Sequence, residues 1–274
     1  MIQAQAEILR PLIDLRDRAI QKNRIAFSHR VTAIEQGRDE ADAVTQDLLI
    51  RWRDRFVDLE AELDADIKEI AATIPIIEEM ENVKGVGFML AAKVVSMIDI
   101  KRCNTVSALW RFSGLGVIAV CEECNVLAIQ GQKVCSEDDC EGKIVNKAER
   151  LRKGEKAHFN KRLKTYCWQL GTSFLKSNSP YRAIYDKGRD QYEEREGWSD
   201  MRKHRAAMRK MIKTFLQHMW VRWRELEGLP VNEPYILGKN GHSHYVAGSE
   251  FGWPTGVKRA KAKKAKKAKK AKSE

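Results

Sequence analysis

The stretch CEECNVLAIQGQKVCSEDDC occupies residues 121–140. Cys121 and Cys124 form one close pair, and Cys135 and Cys140 form a second. Two close cysteine pairs on a short loop set four sulfurs at the corners of a tetrahedron, the geometry of closed structural Zn²⁺ sites. All four corners are soft thiolates, so zinc is the leading metal and iron the second. The alternatives are two disulfides or four unrelated buried cysteines. Four protein ligands leave no open position for water, so such a site holds a fold together and does no chemistry. Gly131 and Gly142 suit the tight turns of a small ribbon over 119–143. The remaining Cys103 and Cys167 read as small core residues.

What flanks this knot is helical. Residues 1 to 36 place Ile8, Leu9, Leu12, Ile13, Ile20, Phe27, Val31 and Ile34 on one side, with Pro11 near the start or at a kink. After Gly37, Leu49, Trp52, Phe56, Leu59, Leu63, Ile67 and Ile70 recur at three- and four-residue spacing, a heptad seam with one stutter. That seam closes an antiparallel hairpin within the chain or a coiled coil between two copies. Pro75 ends it. Asn82-Val-Lys-Gly-Val-Gly-Phe-Met-Leu-Ala-Ala-Lys then has the pattern of a helix-hairpin-helix. Gly85 and Gly87 permit a tight turn, and the helix start beyond them offers unpaired amides to a phosphate, with Lys84 and Lys93 beside it. Thr105 or Ser107 caps a short helix, and Trp198-Ser199-Asp200 caps the last long one. On that last helix Met208, Met211, Ile212, Phe215, Met219, Trp220, Trp223 and Leu226 form a wide core face, while His204 and His218 read as ordinary helix residues. The folded part is expected to end at Gly228–Pro234, before a flexible, Gly- and Lys-rich tail.

Charge is unevenly spread over the net +12. Residues 1–80 carry −6, whereas 258–274 carry +9. Gly142 to Lys164 holds nine Lys or Arg against Glu149 and Glu155, with Phe159, Leu163, Cys167, Leu170 and Phe174 at helical spacing. A basic stretch beside a zinc ribbon points to nucleic acid. No apolar run reaches the ~18 residues of a membrane span. No signal peptide opens the chain, so an intracellular location, cytoplasm or nucleoid, is expected.

The order of these parts resembles the C-terminal half of transposases of the insertion-sequence 110, 116 and 902 family. The resemblance runs from Ile74 to Leu226. It is most specific at Lys84–Lys93 and Leu109–Leu115, and includes the basic Arg152-Lys-Gly-Glu-Lys segment. It implies DNA recombination with a guide RNA, and a domain that normally follows a RuvC-like nuclease and a coiled coil. Residues 1–80 lack the alternating strands of a RuvC-like domain, so a separate nuclease partner is implied. Between Gly116 and Lys164 the only hydroxyl side chain is Ser136, inside the metal loop, and Ser113 lies just before. The family's acidic site and serine nucleophile therefore do not carry over, and no catalytic residue is assigned.

The sequence thus predicts an all-α protein. A helical hairpin or coiled coil spans 1–73, and a helix-hairpin-helix domain with the inserted zinc ribbon spans 74–228. The tail spans 229–274, Lys-rich from 258. The expected function is DNA binding as a transposase-like protein of a mobile element or virus, acting as a homo-oligomer. The alternative is a non-catalytic architectural nucleic-acid-binding zinc protein. The expected phosphate contacts are Lys84, Gly85, Gly87, Lys93, Arg152, Lys153, Lys156, Lys161 and Arg162. The expected metal ligands are Cys121, Cys124, Cys135 and Cys140.

Overall fold

A long helical hairpin begins the chain. Helix α1 (Ile2–Leu15) runs through Pro11 into a π-helical turn at Arg16–Ile20, then into α2 (Gln21–Glu35). Proline removes one amide from the helix ladder. The helix nevertheless continues, and at the wide turn the Gln21 amide bonds the Arg16 carbonyl. After Gly37, which has a positive φ of 66°, α3 (Ala43–Ala72) returns antiparallel. Its first turn is closed by the Asp42 carboxylate, which accepts from the Thr45 amide at 2.9 Å.

The hairpin therefore closes within one chain. Phe27 meets Phe56 at 5.6 Å between ring centroids, and the Glu60 carboxylate accepts from Gln21 and Arg24. The expected seam divides in two. Leu63 and Ile67 are buried, whereas Trp52 and Leu59 are 40% and 43% exposed. Helix α3 packs along α2 and also meets α1, α4 (Pro75–Glu81) and α5 (Phe88–Val95).

The computed structural model describes residues 2–129, 131–137, 139–148, 157–231 and 248–254. After α3 come α4 (Pro75–Glu81), the 82–87 turn, α5 (Phe88–Val95) and α6 (Val106–Phe112), the last capped by Thr105. Strands β1 (Val117–Cys121) and β2 (Ile144–Ala148) pair antiparallel, Val117 opposite Ala148 and Cys121 opposite Ile144. The remaining helices are α7 (Lys161–Lys176), capped by Asn160, α8 (Arg182–Glu193), and α9 (Asp200–Leu226), capped by Ser199.

Helix α9 is the axle of the second half. Met211, Ile212, Phe215, Met219, Trp220 and Trp223 are all at or below 1% exposure, in line with the stripe read from the sequence. Trp220 Nε1 donates to the Cys103 carbonyl at 2.7 Å, and Arg224 Nη1 donates to the carbonyls of Ile100 and Cys103. Burial pushes the Cys103 thiol up to about 11 and the Cys167 thiol up to about 12, as inert core thiols require. His204 and His218 each place Nδ1 against a tyrosine hydroxyl, Tyr185 at 2.8 Å and Tyr181 at 2.6 Å.

The sequence reading ends the folded part at Gly228–Pro234, and here the structure differs. Gly248–Phe251 forms a short turn that lies against the core, burying Phe251 and Trp253. Trp253 Nε1 donates to the Tyr181 hydroxyl at 2.7 Å, and the Phe251 ring lies tilted against the same ring, 4.4 Å between centroids. Two aromatic side chains separated by one glycine bury enough apolar area to draw a polar stretch back onto the helices. The Lys-rich residues from 258, with Arg152, Lys153 and Lys156, lie outside the described residues.

Candidate metal centre and nucleic-acid interface

The ribbon is built by two turns that face each other. Strand β1 ends at Cys121, whose amide donates to the Val126 carbonyl, so the chain reverses over Glu122–Asn125. Asn125 takes the left-handed conformation at φ 58°, a region Asn tolerates. The second turn is fixed by the Cys135 amide donating to the Gly142 carbonyl. The four Sγ atoms of Cys121, Cys124, Cys135 and Cys140 all lie within 4.8 Å of one another. Cys121–Cys140 and Cys124–Cys135 are separated by 3.5 and 3.6 Å. A zinc tetrathiolate with metal–sulfur bonds of about 2.3 Å has edges of about 3.8 Å. No disulfide is present among the described cysteines, and the four sulfurs can hold a metal ion such as zinc.

Local electrostatics fits that use. Burial raises the Cys121 thiol, but the amides of Cys124 and Glu123 and the thiols of Cys124 and Cys140 outweigh it, bringing it down to about 7. The Gly142 amide favours the Cys140 thiolate, yet the adjoining Cys121, burial, Cys124 and Cys135 push that thiol up to about 12. Four thiols this close cannot all ionise unless a cation joins them.

Gly142 serves a different purpose from the one its sequence position suggested. It has no positive φ; a Cβ there would overlap the Cys121 sulfur and press on Glu123. Gly142→Ala is expected to displace Cys121 from the tetrahedron and weaken zinc affinity at least tenfold, measured by competition with a chromophoric chelator. Gly131, by contrast, does occupy a turn with φ 103°.

The second candidate feature is the 82–87 turn. Gly85 has φ 97°, and the space where its Cβ would sit is filled by Ser177, Phe174 and the Ser173 carbonyl. Ser173 Oγ donates to the Gly85 carbonyl at 2.6 Å. Gly85 is therefore a packing residue against α7. Gly87 is the opposite: exposed, with nothing within 4 Å of a Cβ position. It forms the N-terminal boundary of α5 without any side-chain cap. The first amides of α5 to bond inward are those of Leu90 and Ala91, both to the Gly87 carbonyl. Lys84 is exposed beside the turn. Lys68 of α3 reaches to 5.8 Å over the Phe88 ring, an approach the sequence could not reveal because the two residues are far apart in the chain.

Two of the expected phosphate contacts are ion-paired within the chain. Lys93 Nζ pairs with Asp17 at 2.9 Å and its side chain is 12% exposed. Arg162 pairs with Asp14 and donates to the Tyr166 hydroxyl at 2.9 Å. Asp17 and Asp14 of the N-terminal helix thus pair with both charges, which the sequence alone leaves open to a phosphate. Lys161 is exposed at the start of α7. Ser113 is fully buried and its Oγ donates to the Trp110 carbonyl at 3.1 Å, while Ser136 is exposed in the ribbon.

No protein-family profile matches the chain, and no curated protein matches it. Among the described residues, no helix is long and apolar enough to cross a membrane.

Proposed function

We propose that the chain is a transposase-like DNA-binding protein. It holds DNA phosphates at the start of α5, and its ribbon is kept folded by a structural Zn²⁺ on Cys121, Cys124, Cys135 and Cys140. The observation that carries the DNA reading is the contrast between two neighbouring glycines: Gly85 is wedged into α7, whereas Gly87 stands open at an uncapped helix start. Unpaired amides, the positive end of the helix dipole and the nearby Lys84 and Lys68 together suit a phosphate. A grip of that kind reads no base edges, so binding is expected without sequence preference. The family resemblance over Ile74–Leu226 supports recombination as the setting, with guide RNA and a separate nuclease as its implied partners.

The test separates the two glycines, in protein lacking 258–274 so that the Lys-rich tail does not dominate. That protein is expected to keep measurable duplex affinity, with a flatter salt dependence than the full chain. Gly87→Val is expected to fold normally and lose at least tenfold in duplex affinity, because a β-branched side chain stands in the phosphate path. Gly85→Val is expected to lose at least ~2 kcal/mol of stability, since a left-handed φ and a filled Cβ site both oppose it. Unchanged DNA binding by a folded Gly87→Val protein would refute the phosphate grip.

A further inference from the structure

A second feature follows from where the carboxylates are not. The sequence has no Asp or Glu from Ile100 to Cys121, from Lys156 to Tyr185, or from Met201 to Arg224. The fold brings these separate stretches together, because α6 and α7 both pack on α9, while α8, which also packs along α9, adds Asp186, Asp190 and Glu193. Over Met201–Arg224, α9 alone carries eight Lys or Arg.

Helical periodicity sorts those eight. Lys203 pairs with Glu193, Arg222 with Glu79 and Glu225, and Arg224 with backbone carbonyls. Of the other five, spread over about 16 Å of helix rise, Arg202 and Arg205 are exposed, whereas Arg209, Lys210 and Lys213 are half-buried along the same side of α9. Arg202 lies 4.3 Å over the Trp198 ring at one end, and Lys213 lies 4.0 Å over the Trp110 ring at the other. Lys210 Nζ donates to the neutral Gln191 side chain at 2.7 Å.

At three positions along α9, neighbouring cations add to the effect of burial. Burial and then Lys187 lower the Lys210 ammonium below its ordinary value. Burial and then Arg209 do the same to Lys213, and burial, Arg189 and Arg205 lower His204. Cations stacked at three- and four-residue spacing weaken a helix by a few tenths of a kcal/mol per pair. A polyanion laid along the face would remove that repulsion and release its own counterions.

We propose that this face of α9 is a second DNA-binding surface that tracks the phosphate backbone of a duplex, separate from the α5 grip. It rests on the DNA-binding reading above and gives it a track as well as a clamp. Long basic side chains without base-reading partners position the duplex and do not choose its sequence.

The test uses the full chain, a 20-base-pair DNA duplex and the RNA duplex of the same sequence, over a salt series. Arg205→Gln combined with Lys210→Gln is expected to flatten the slope of log K against log salt by about 1.8, at about 0.9 for each phosphate that is no longer neutralised. Thermal stability should be unchanged or higher. Arg51→Gln combined with Arg55→Gln, on the helical hairpin, is the charge-matched control. In the unmodified protein, bound DNA should shield Lys210 from amine acetylation and leave the exposed Lys22 of α2 as reactive as before. An equal slope change in the control pair, no shielding of Lys210, or tighter binding of RNA duplex than of DNA would overturn the proposal. If Gly87→Val retains full affinity while the α9 variant loses it, the α5 grip fails and this surface stands. If the unmodified protein binds no duplex, both fail.

Discussion

Protein purified under reducing conditions is expected to carry one zinc per chain, and Cys124→Ser protein none. Metal affinity of a tetrathiolate site is largely folding energy, of the order of 10–16 kcal/mol in isolated zinc fingers at neutral pH. What that energy maintains can be located here. The buried ribbon residues Ala119, Val120 and Cys121 do not belong to the continuous apolar core, which passes from Leu115 directly to Leu163. Loss of metal is therefore expected to abolish the β1–β2 pairing and leave the helices in place. Elemental analysis gives the stoichiometry. Amide exchange should rise across 117–148 while far-ultraviolet dichroism keeps its helical signal. Acidification should release the metal, because protons compete for the same sulfurs. A zinc-free protein with a protected ribbon would end the metal assignment.

The second large effect is expected at Arg16. Its guanidinium, in the π-helical turn, contacts Asp17, Glu60 and Asp64 and is about 10% exposed. Asp17 in turn holds Lys93 of α5, and Glu60 holds Arg24 of α2. One side chain therefore ties the hairpin to the helix that follows the glycine turn. Arg16→Met leaves the Asp64 charge without its cation and is expected to cost about 3 kcal/mol, near the low end for breaking a buried pair, because Glu60 and Asp17 keep other partners. Urea titration measures it. The hydrogen bond to Asp64 raises the Arg16 value despite burial. A raised folded-state value gives stability that is complete below the unfolded value and lost only in strong alkali. The deficit of the variant should therefore be the same at pH 6 and pH 9 as far as Arg16's own ionisation is concerned. A stability change under 1 kcal/mol would show that the cluster is mere solvated charge.

The helices and the four-cysteine cluster were legible because their signals are local. Periodicity in 200–226 marks the buried face of α9, and Thr105 and Ser199 cap the helices they precede. Cysteine spacing singles out four sulfurs that the fold does bring together. Long-range pairing was not legible. Lys93 and Arg162 look like free cations in a basic neighbourhood, and nothing near them in the chain announces Asp17 and Asp14. The division of labour between Gly85 and Gly87 depends on α7, nearly ninety residues away. The return of Phe251 and Trp253 is hidden because a polar stretch precedes them. The α9 face is half open to view: the missing carboxylates can be counted in the sequence, but only packing shows that the three stretches adjoin.

The docking of Trp253 also sets where the last residues begin. Gly252 has φ 94°, and a Cβ there would lie 2.9 Å from the Asn82 carbonyl, at the foot of the glycine turn. Gly252 and Trp253 thus lie beside the segment that leads into α5, and ten Lys and Arg follow in the sequence from residue 258. A charged segment anchored a few residues from a binding site acts at an effective concentration set by its leash, in the millimolar range for short tethers. Under the proposed DNA-binding function, the basic segment would add to capture intramolecularly, duplex held by one element being presented to the other without a second encounter from solution.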